Sequence, residues 1–447
     1  MNRQILRLAV PNILANVSVP LISSFDTVLM GELGGAYIAA VGLGAMAFNF
    51  VYWNFGFLRM STTGLVAQAH GAGDAEAELT LLRRGALLAL AVGTFLLLFQ
   101  YPLAQGTHWL LNLRADQVPL VDNYFYVRVV AAPAALLQLV IFGYFFGRQN
   151  AVVPLVLTVV VNVVNMALSY YLTVGLGWGI DGVAWGTVGA QYVGLVLALG
   201  AVFWLTPART LLSSLIGLHP RPRQKNADGK ARASWRDFLR VNADIFVRTV
   251  CLTLSFAFFY NRANALDVGT ATVAANVILL QLVNWLSYGI DGFAYAAESL
   301  TGKFVGAGER ENLRRALRAI FAWGMVLALG YALLYGLFGR PILELFAPEN
   351  GAPETLAAAA TYLPIIVAFC LLATPCYLYD GIFIGLTATR AMRQTMLLSL
   401  ACYFAVYLLV GRHYGNWGLW GSLLLFMVAR GLLQWYWVRS GRVPLLR

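Results

Sequence analysis

The chain has 447 residues, of which 60% are hydrophobic and only 11% are Asp, Glu, Lys or Arg. Soluble globular proteins carry about 25% charged residues, so this composition excludes a disordered chain, a fibrous chain and a soluble enzyme of ordinary domains. A polytopic α-helical membrane protein remains.

Twelve apolar stretches, separated by glycine, proline and charged residues, are each long enough to span a membrane, which takes about 20 apolar residues. No strand-like alternation of polar and apolar residues competes with this interpretation. The predicted spans are 8–30, 37–66, 80–102, 120–146, 151–173, 181–204, 238–262, 271–302, 314–337, 357–385, 394–411 and 417–438.

Basic residues are unevenly distributed among the segments outside these spans. Of the 31 lysines and arginines, 23 fall on the side that holds both termini, five on the opposite side and three within spans. Because positive charge marks the cytoplasmic face, we expect both termini on the cytoplasmic side of the inner (plasma) membrane. The same asymmetry accounts for the net charge of +11, so no nucleic-acid partner is expected.

One long polar stretch, His219–Trp235, predicts a basic cytoplasmic linker over 206–235 between a first lobe, 1–205, and a second lobe, 236–447. Each lobe contains six predicted spans. A shift of 235 residues relates the lobes to each other, and further along the chain the shift drifts by a few residues. The matching segments include Gly71-Ala72-Gly73-Asp74 with Gly306-Ala307-Gly308-Glu309, and the sequences GYFFG at 143–147 with GIFIG at 381–385.

Two lobes of six spans each have the same orientation in the membrane. The predicted fold is therefore an all-α membrane protein, with two six-helix lobes related by a parallel pseudo-two-fold repeat around a central cavity. Such a cavity can open to one side of the membrane at a time, which favours a transporter over a channel or an enzyme.

Several short motifs, in order and along nearly the whole chain, carry a resemblance to a known family. They are Phe25-Asp26-Thr27 before Met30-Gly31, the Gly71–Asp74 turn, Gly175–Gly179 with Gly182, Asn242-x-Asp244-x-x-x-Arg248-Thr249, Asp291-Gly292 with Glu298, and Asp380–Gly385 with Met392-Arg393. With these motifs the chain resembles the multidrug and toxic compound extrusion (MATE) transporters, most closely their DinF-like branch.

The resemblance implies export of amphipathic, often cationic, organic compounds, driven by inward flow of protons or sodium ions. It implies small-molecule substrates and the lipid bilayer as partners, no cofactor, and action as a monomer. The four cysteines lack the spacing of a metal site, so no metal is expected.

Asp26 is the predicted proton-coupling residue. It lies 17 residues after Ala9, which corresponds to about 26 Å along a helix and places it in the outer third of the bilayer. Apolar surroundings favour the neutral form of a carboxyl group, so Asp26 can take up and release a proton. Pro11 and Pro20 weaken the backbone hydrogen bonding of this helix and are predicted hinges. The alternative is an aspartate near the outer boundary that is hydrated or caps a polar helix partner. The resemblance assigns coupling to an aspartate at this place in the first helix.

The first lobe has a second set of candidate residues. Asn162, Asn165 and Ser169 share one helix face, which indicates either a water-filled cavity or a bond between helices. The resemblance adds Tyr124 and Thr187 as polar residues lining this lobe. Where family members often carry a second aspartate, this chain has Ser169, which leaves a two-carboxylate proton site in doubt.

The second lobe is the rival location for coupling. Its predicted polar network comprises Asp244, Arg248, Asp291, Glu298 and Asp380. We expect an i,i+4 ion pair between Asp244 and Arg248, and an excess of acids over arginines that requires protonation or a bound cation. The alternative is a purely structural network that closes the cytoplasmic side.

Two departures from the family favour protons over sodium. Sodium-coupled relatives usually have a glutamate in the seventh span and a tyrosine one turn before the aspartate of the tenth span. Here the predicted span 238–262 has no glutamate, and Cys376 precedes Asp380 by four residues.

Three alternatives compete with a proton-driven exporter. A sodium-coupled exporter of the same family stays open. A flippase for a lipid-linked saccharide would be expected to have several arginines in its cavity. An enzyme would need convergent reactive groups, whereas all four histidines fall in loops or at span ends: His70, His108, His219 and His413.

Overall fold

A computed structural model gives the structure of the protein. It describes residues 1–31, 42–44, 48, 52–111, 115, 117–206, 234–265, 269–348 and 352–441. The ordered elements in these ranges are all helical, which agrees with the helical periodicity and the absence of strand patterns in the sequence.

Fourteen α-helices follow one another in the described ranges. They are α1 (Asn2–Gly31), α2 (Phe57–Gly71), α3 (Ala75–Leu98), α4 (Gln100–Leu111), α5 (Val118–Val129), α6 (Ala132–Gly147), α7 (Val152–Tyr170), α8 (Ile180–Leu205), α9 (Trp235–Ala265), α10 (Thr270–Gly306), α11 (Arg310–Glu344), α12 (Pro353–Gly385), α13 (Thr389–Leu409) and α14 (Gly415–Arg439).

Nine helices in the described part of the chain are long and apolar enough to cross a membrane, and α5 with α6 can form a tenth span. Helix α1 extends through the predicted span 8–30, whereas the predicted span 37–66 is described only at 42–44, 48 and 52–66. Large apolar side chains point outward. Trp204 is 90% exposed and Leu98 is 75% exposed. Such surfaces are stable in hydrocarbon rather than in water.

The predicted span 120–146 is not one straight helix, because α5 and α6 meet at an angle of 50°. Pro133, in the first turn of α6, has no N–H to donate and its ring excludes a regular helical turn before it. Gly93 of α3 accommodates the bend, since a Cβ at this position would lie 2.8 Å from the Pro133 Cα.

The internal repeat is visible in backbone packing. A Cβ on Gly143 would lie 2.5 Å from the carbonyl oxygen of Arg59, and a Cβ on Gly381 would lie 2.3 Å from that of Ala294. Arg59 and Ala294 are related by the same 235-residue shift that was found in the sequence. The turns match as well, with φ of 70° at Gly73 and 72° at Gly308. These shared close approaches confirm that the halves repeat one structural plan.

Gly381→Ala is expected to lower the free energy of unfolding by about 1–3 kcal/mol, because the added methyl group overlaps the Ala294 carbonyl. Gly330→Ala is the matched control, since no atom lies within 4 Å of its Cβ position. Thermal unfolding of the purified protein in detergent measures both. Equal melting temperatures for the two variants would contradict the close packing inferred at Gly381.

The described chain divides into two compact units. The first comprises Leu14–Asn242, and the second comprises Met1–Ile13 together with Ala243–Arg447. The start of α1 belongs to the second unit, where a Cβ on Gly292 would lie 2.8 Å from the carbonyl oxygen of Ala9. Residues 207–233 of the predicted linker lie outside the described residues, so the lobes 1–205 and 236–447 stay a prediction.

Candidate functional site

Helix α1 carries the predicted coupling residue Asp26 and both predicted hinge residues. The helix is continuous through Pro11 and Pro20. The side chains of Asp26 and Pro20 lie outside the described residues, so coupling and hinge motion stay predictions. The boundary between the two units crosses α1 after Ile13, between the two prolines. One helix therefore contributes to both units.

Three predicted lining residues meet around the hydroxyl group of Thr187 in the first unit. Asn165 on α7 donates to the Thr187 Oγ1 over 2.9 Å, and Arg128 on α5 donates to the same atom over 3.2 Å. Arg128 also donates to the hydroxyl of Tyr124, one turn earlier on α5, over 2.9 Å. The structure thus joins α5, α7 and α8 through a polar cluster in which Tyr124, Asn165 and Thr187 are buried and Arg128 is half-buried.

Arg128 also belongs to this cluster, although its position along the chain places it among the five basic residues of the outer side. Its guanidinium group lies 5.4 Å from the ring centroid of Tyr124, which it follows by four residues. That i,i+4 spacing on one helix face was the available signal.

The other two predicted residues of α7 have different surroundings. Asn162 donates to the Ser18 hydroxyl of α1 over 2.9 Å, so it connects two helices. Ser169 is fully buried, and neither its hydroxyl nor the Asn165 Oδ1 has a hydrogen-bond partner among the described residues. Each buried polar atom without a hydrogen-bond partner lowers the stability of the fold by about 1–3 kcal/mol. The polar side chains on this face of α7 therefore destabilise the fold.

Asp380 is the centre of the charged network in the second unit. Its carboxylate accepts hydrogen bonds from Arg248 of α9, from Arg430 of α14 over 2.5 Å and from Gln434 of α14 over 2.6 Å. Arg430 is 1% exposed and Asp380 5% exposed. The predicted excess of acids is therefore wrong at this carboxylate, because two guanidinium groups bind a single acid.

Asp244 has a separate set of partners. Arg393 donates to it over 2.5 Å and the Thr389 hydroxyl donates over 3.1 Å. The predicted ion pair between Asp244 and Arg248 is wrong, because the folded chain directs each side chain to a partner on another helix. Local i,i+4 pairs are worth only about 0.2–0.5 kcal/mol, so tertiary contacts readily override them.

Asp291 and Glu298 lie seven residues apart on α10, as predicted. Glu298 is buried, at 2% exposure, and Asp291 is half-buried. A Cβ on Gly385 of α12 would lie 2.5 Å from the carbonyl oxygen of Glu298, so α12 packs closely against the α10 backbone here. The predicted network thus comprises an Asp380 cluster, an Asp244 cluster and two acids on α10.

Known proteins resemble this chain over nearly its full length. The MatE family model matches residues 11–171 and 245–412. DNA damage-inducible protein F of Escherichia coli (strain K12) is 33% identical over 437 residues, covering 97% of this chain and 92% of that protein. The probable multidrug resistance protein NorM of Pseudomonas putida is 26% identical over 415 residues, covering 90% of this chain and 85% of that protein.

A solved structure supports the same assignment at the level of the fold. A MATE transporter from Vibrio cholerae matches with a TM-score of 0.83 and 20% identity, covering 99% of this chain and 97% of that chain. This match confirms the predicted fold class. The chain belongs to the MatE family of membrane transporters.

Proposed function

We propose that the protein exports amphipathic organic compounds, cationic ones among them, in exchange for protons by alternating access. The observation that carries this proposal is the position of α1, which is shared between the two compact units. The helix that carries Asp26 is therefore connected to both units. A change in the protonation of Asp26 can then bias the arrangement of one unit against the other.

The family supports the class of substrate. A relative from Pseudomonas putida is named as a probable multidrug resistance protein. In the first unit, the cluster of Tyr124, Asn165 and Thr187 offers the mixture of aromatic surface and hydrogen-bonding groups that suits amphipathic molecules. These residues, together with Asn162 and Ser169, are the proposed substrate-lining set.

Two observations favour protons over sodium as the coupling ion. Asp380 binds two arginines and Asp244 binds a third, Arg393. A sodium ion beside either carboxylate would be repelled by these guanidinium groups. Asp26 has no basic residue within one turn in the sequence, and apolar surroundings favour the protonated form of a carboxyl group.

We place the protein in the plasma membrane as a monomer, with both termini in the cytoplasm. The excess of lysine and arginine on one side of the predicted spans supports this orientation.

Transport by purified protein in liposomes tests the coupling ion, with ethidium as the amphipathic probe. We expect an imposed pH gradient to drive ethidium against its concentration gradient, and a protonophore to abolish this movement. A sodium gradient of equal size at uniform pH is expected to drive none. Movement driven by the sodium gradient alone would overturn proton coupling, and no movement under either gradient would overturn the export of such cations.

A further inference from the structure

The first unit contains two clusters of the same composition. At one, Arg148 donates from Nη1 to the hydroxyl groups of Tyr144, over 3.1 Å, and Thr206, over 3.5 Å. At the other, Arg128 donates from Nη1 to the hydroxyl groups of Tyr124 and Thr187. In both, the arginine follows the tyrosine by four residues and its guanidinium group lies over the tyrosine ring, at 5.3 Å for Arg148.

The two clusters differ at the side of the guanidinium group that carries Nε, away from the two hydroxyl groups bound by Nη1. The Nε of Arg148 lies 3.2 Å from a carboxylate oxygen of Glu78, a buried side chain. For Arg128, both hydrogen bonds made to described residues leave from Nη1, and no carboxylate of a described residue binds it. In the sister cluster a carboxylate oxygen lies beside Nε, on the side of the guanidinium group that these two hydrogen bonds of Arg128 leave unused.

Aromatic side chains flank the guanidinium group of Arg128. It lies 5.2 Å from the ring centroid of Phe48, which itself lies 5.1 Å from the ring of Phe125 and 5.3 Å from that of Tyr52. The hydroxyl of Tyr52 is buried without a hydrogen-bond partner among the described residues. A permanent positive charge therefore lies beside an apolar aromatic surface that also carries a polar group without a partner.

We propose that Arg128 binds the carboxylate group of amphipathic organic acids, so that organic anions belong to the substrates of the protein. The planar edge of Nε and Nη2 donates two parallel hydrogen bonds to the carboxylate, which a guanidinium group suits better than an ammonium group. The apolar body of the compound packs on Phe48, Phe125 and Tyr52. This inference rests on the proposed export function and adds a second charge class to it.

Two probes with one ring system and opposite charge test the proposal, 1-naphthylacetate and 1-naphthylmethylammonium. Titration calorimetry of the full-length protein in detergent measures the affinity for each. We expect Arg128→Gln to weaken binding of 1-naphthylacetate about tenfold or more, because an ionised hydrogen-bond partner is lost. The same variant should bind 1-naphthylmethylammonium as tightly as the wild type or more tightly, since a repelling charge is gone.

Two further variants keep the result independent of folding. Arg128→Lys retains the charge but not the planar edge, so we expect an affinity for 1-naphthylacetate between those of the wild type and Arg128→Gln. Arg148→Gln removes the sister arginine, whose Nε already faces the Glu78 carboxylate, and should bind 1-naphthylacetate within about twofold of the wild type. Gel filtration identifies the folded preparations.

Unchanged binding of 1-naphthylacetate in Arg128→Gln would overturn the proposal. Equal loss of both probes in a folded preparation, or no binding of 1-naphthylacetate by the wild type, would also overturn it. Proton-driven ethidium transport by the wild type is measured separately. Its loss contradicts the proposed function, whereas its presence without carboxylate binding contradicts only this inference.

Discussion

Asp26→Asn is expected to reduce proton-driven ethidium export in proteoliposomes to the level of empty vesicles. The amide has nearly the shape of the carboxyl group but cannot take up or release a proton, so the coupling step is lost while the fold is kept. We expect normal expression, and normal migration on gel filtration. The measurement is the initial rate of ethidium movement under a fixed pH gradient, compared with the wild type.

Two variants sharpen this result. Asp26→Glu retains a titratable group and is expected to retain part of the rate. Asp237→Asn removes an exposed carboxylate at the start of α9, which accepts hydrogen bonds from Ser234, and is expected to transport at the wild-type rate. Full proton-driven export by Asp26→Asn would move the coupling site to the second unit, where Glu298 and Asp291 become the candidates.

Asp380→Asn is expected to have the largest effect on stability, lowering the free energy of unfolding by about 3–5 kcal/mol. The substitution leaves Arg248 and Arg430 buried without their shared carboxylate, and Arg430 has only 1% of its side chain exposed. An unpaired buried charge costs far more than the ion pair itself contributes. Thermal unfolding in detergent and the yield of folded protein measure the effect.

Asp244→Asn is the matched comparison, because its partner Arg393 has 35% of its side chain exposed and can be hydrated when the ion pair is lost. We expect a loss of about 1 kcal/mol for this variant. In the double variant Asp380→Asn with Arg430→Gln, one of the two stranded charges is gone and part of the stability should return. Equal destabilisation by Asp380→Asn and Asp244→Asn would contradict the central place of Asp380.

The bend between α5 and α6 is not predicted by the apolar composition, although a proline marks its position in the sequence. The apolar composition of 120–146 predicts one span, and α5 and α6 together are long enough to form it. Pro133 marks the break, but prolines occur inside other long helices as well, such as Pro364 and Pro375 in α12. Whether a proline bends a helix depends on what packs beside it, and Gly93 of the neighbouring helix α3 makes the room here.

The polar residues of the first unit were predicted in part. Asn165, Tyr124 and Thr187 were expected to line one lobe, and the structure joins them directly or through Arg128. Arg128 was assigned to the outer side because a charge count by loop considers only the position along the chain. Its two hydroxyl partners identify it as part of the cluster.

The sequence alone determined the helical class, most of the spans and the repeat of two halves. These follow from composition and from periodicities of a few residues, because a chain in lipid must satisfy its backbone hydrogen bonds within each helix. Only the tertiary structure decided the charge pairs. Arg248 and Asp380 are separated by 132 residues and Arg393 and Asp244 by 149. Such partners are selected by helix packing, since a buried charge binds whichever opposite charge the fold brings near, at any distance along the chain.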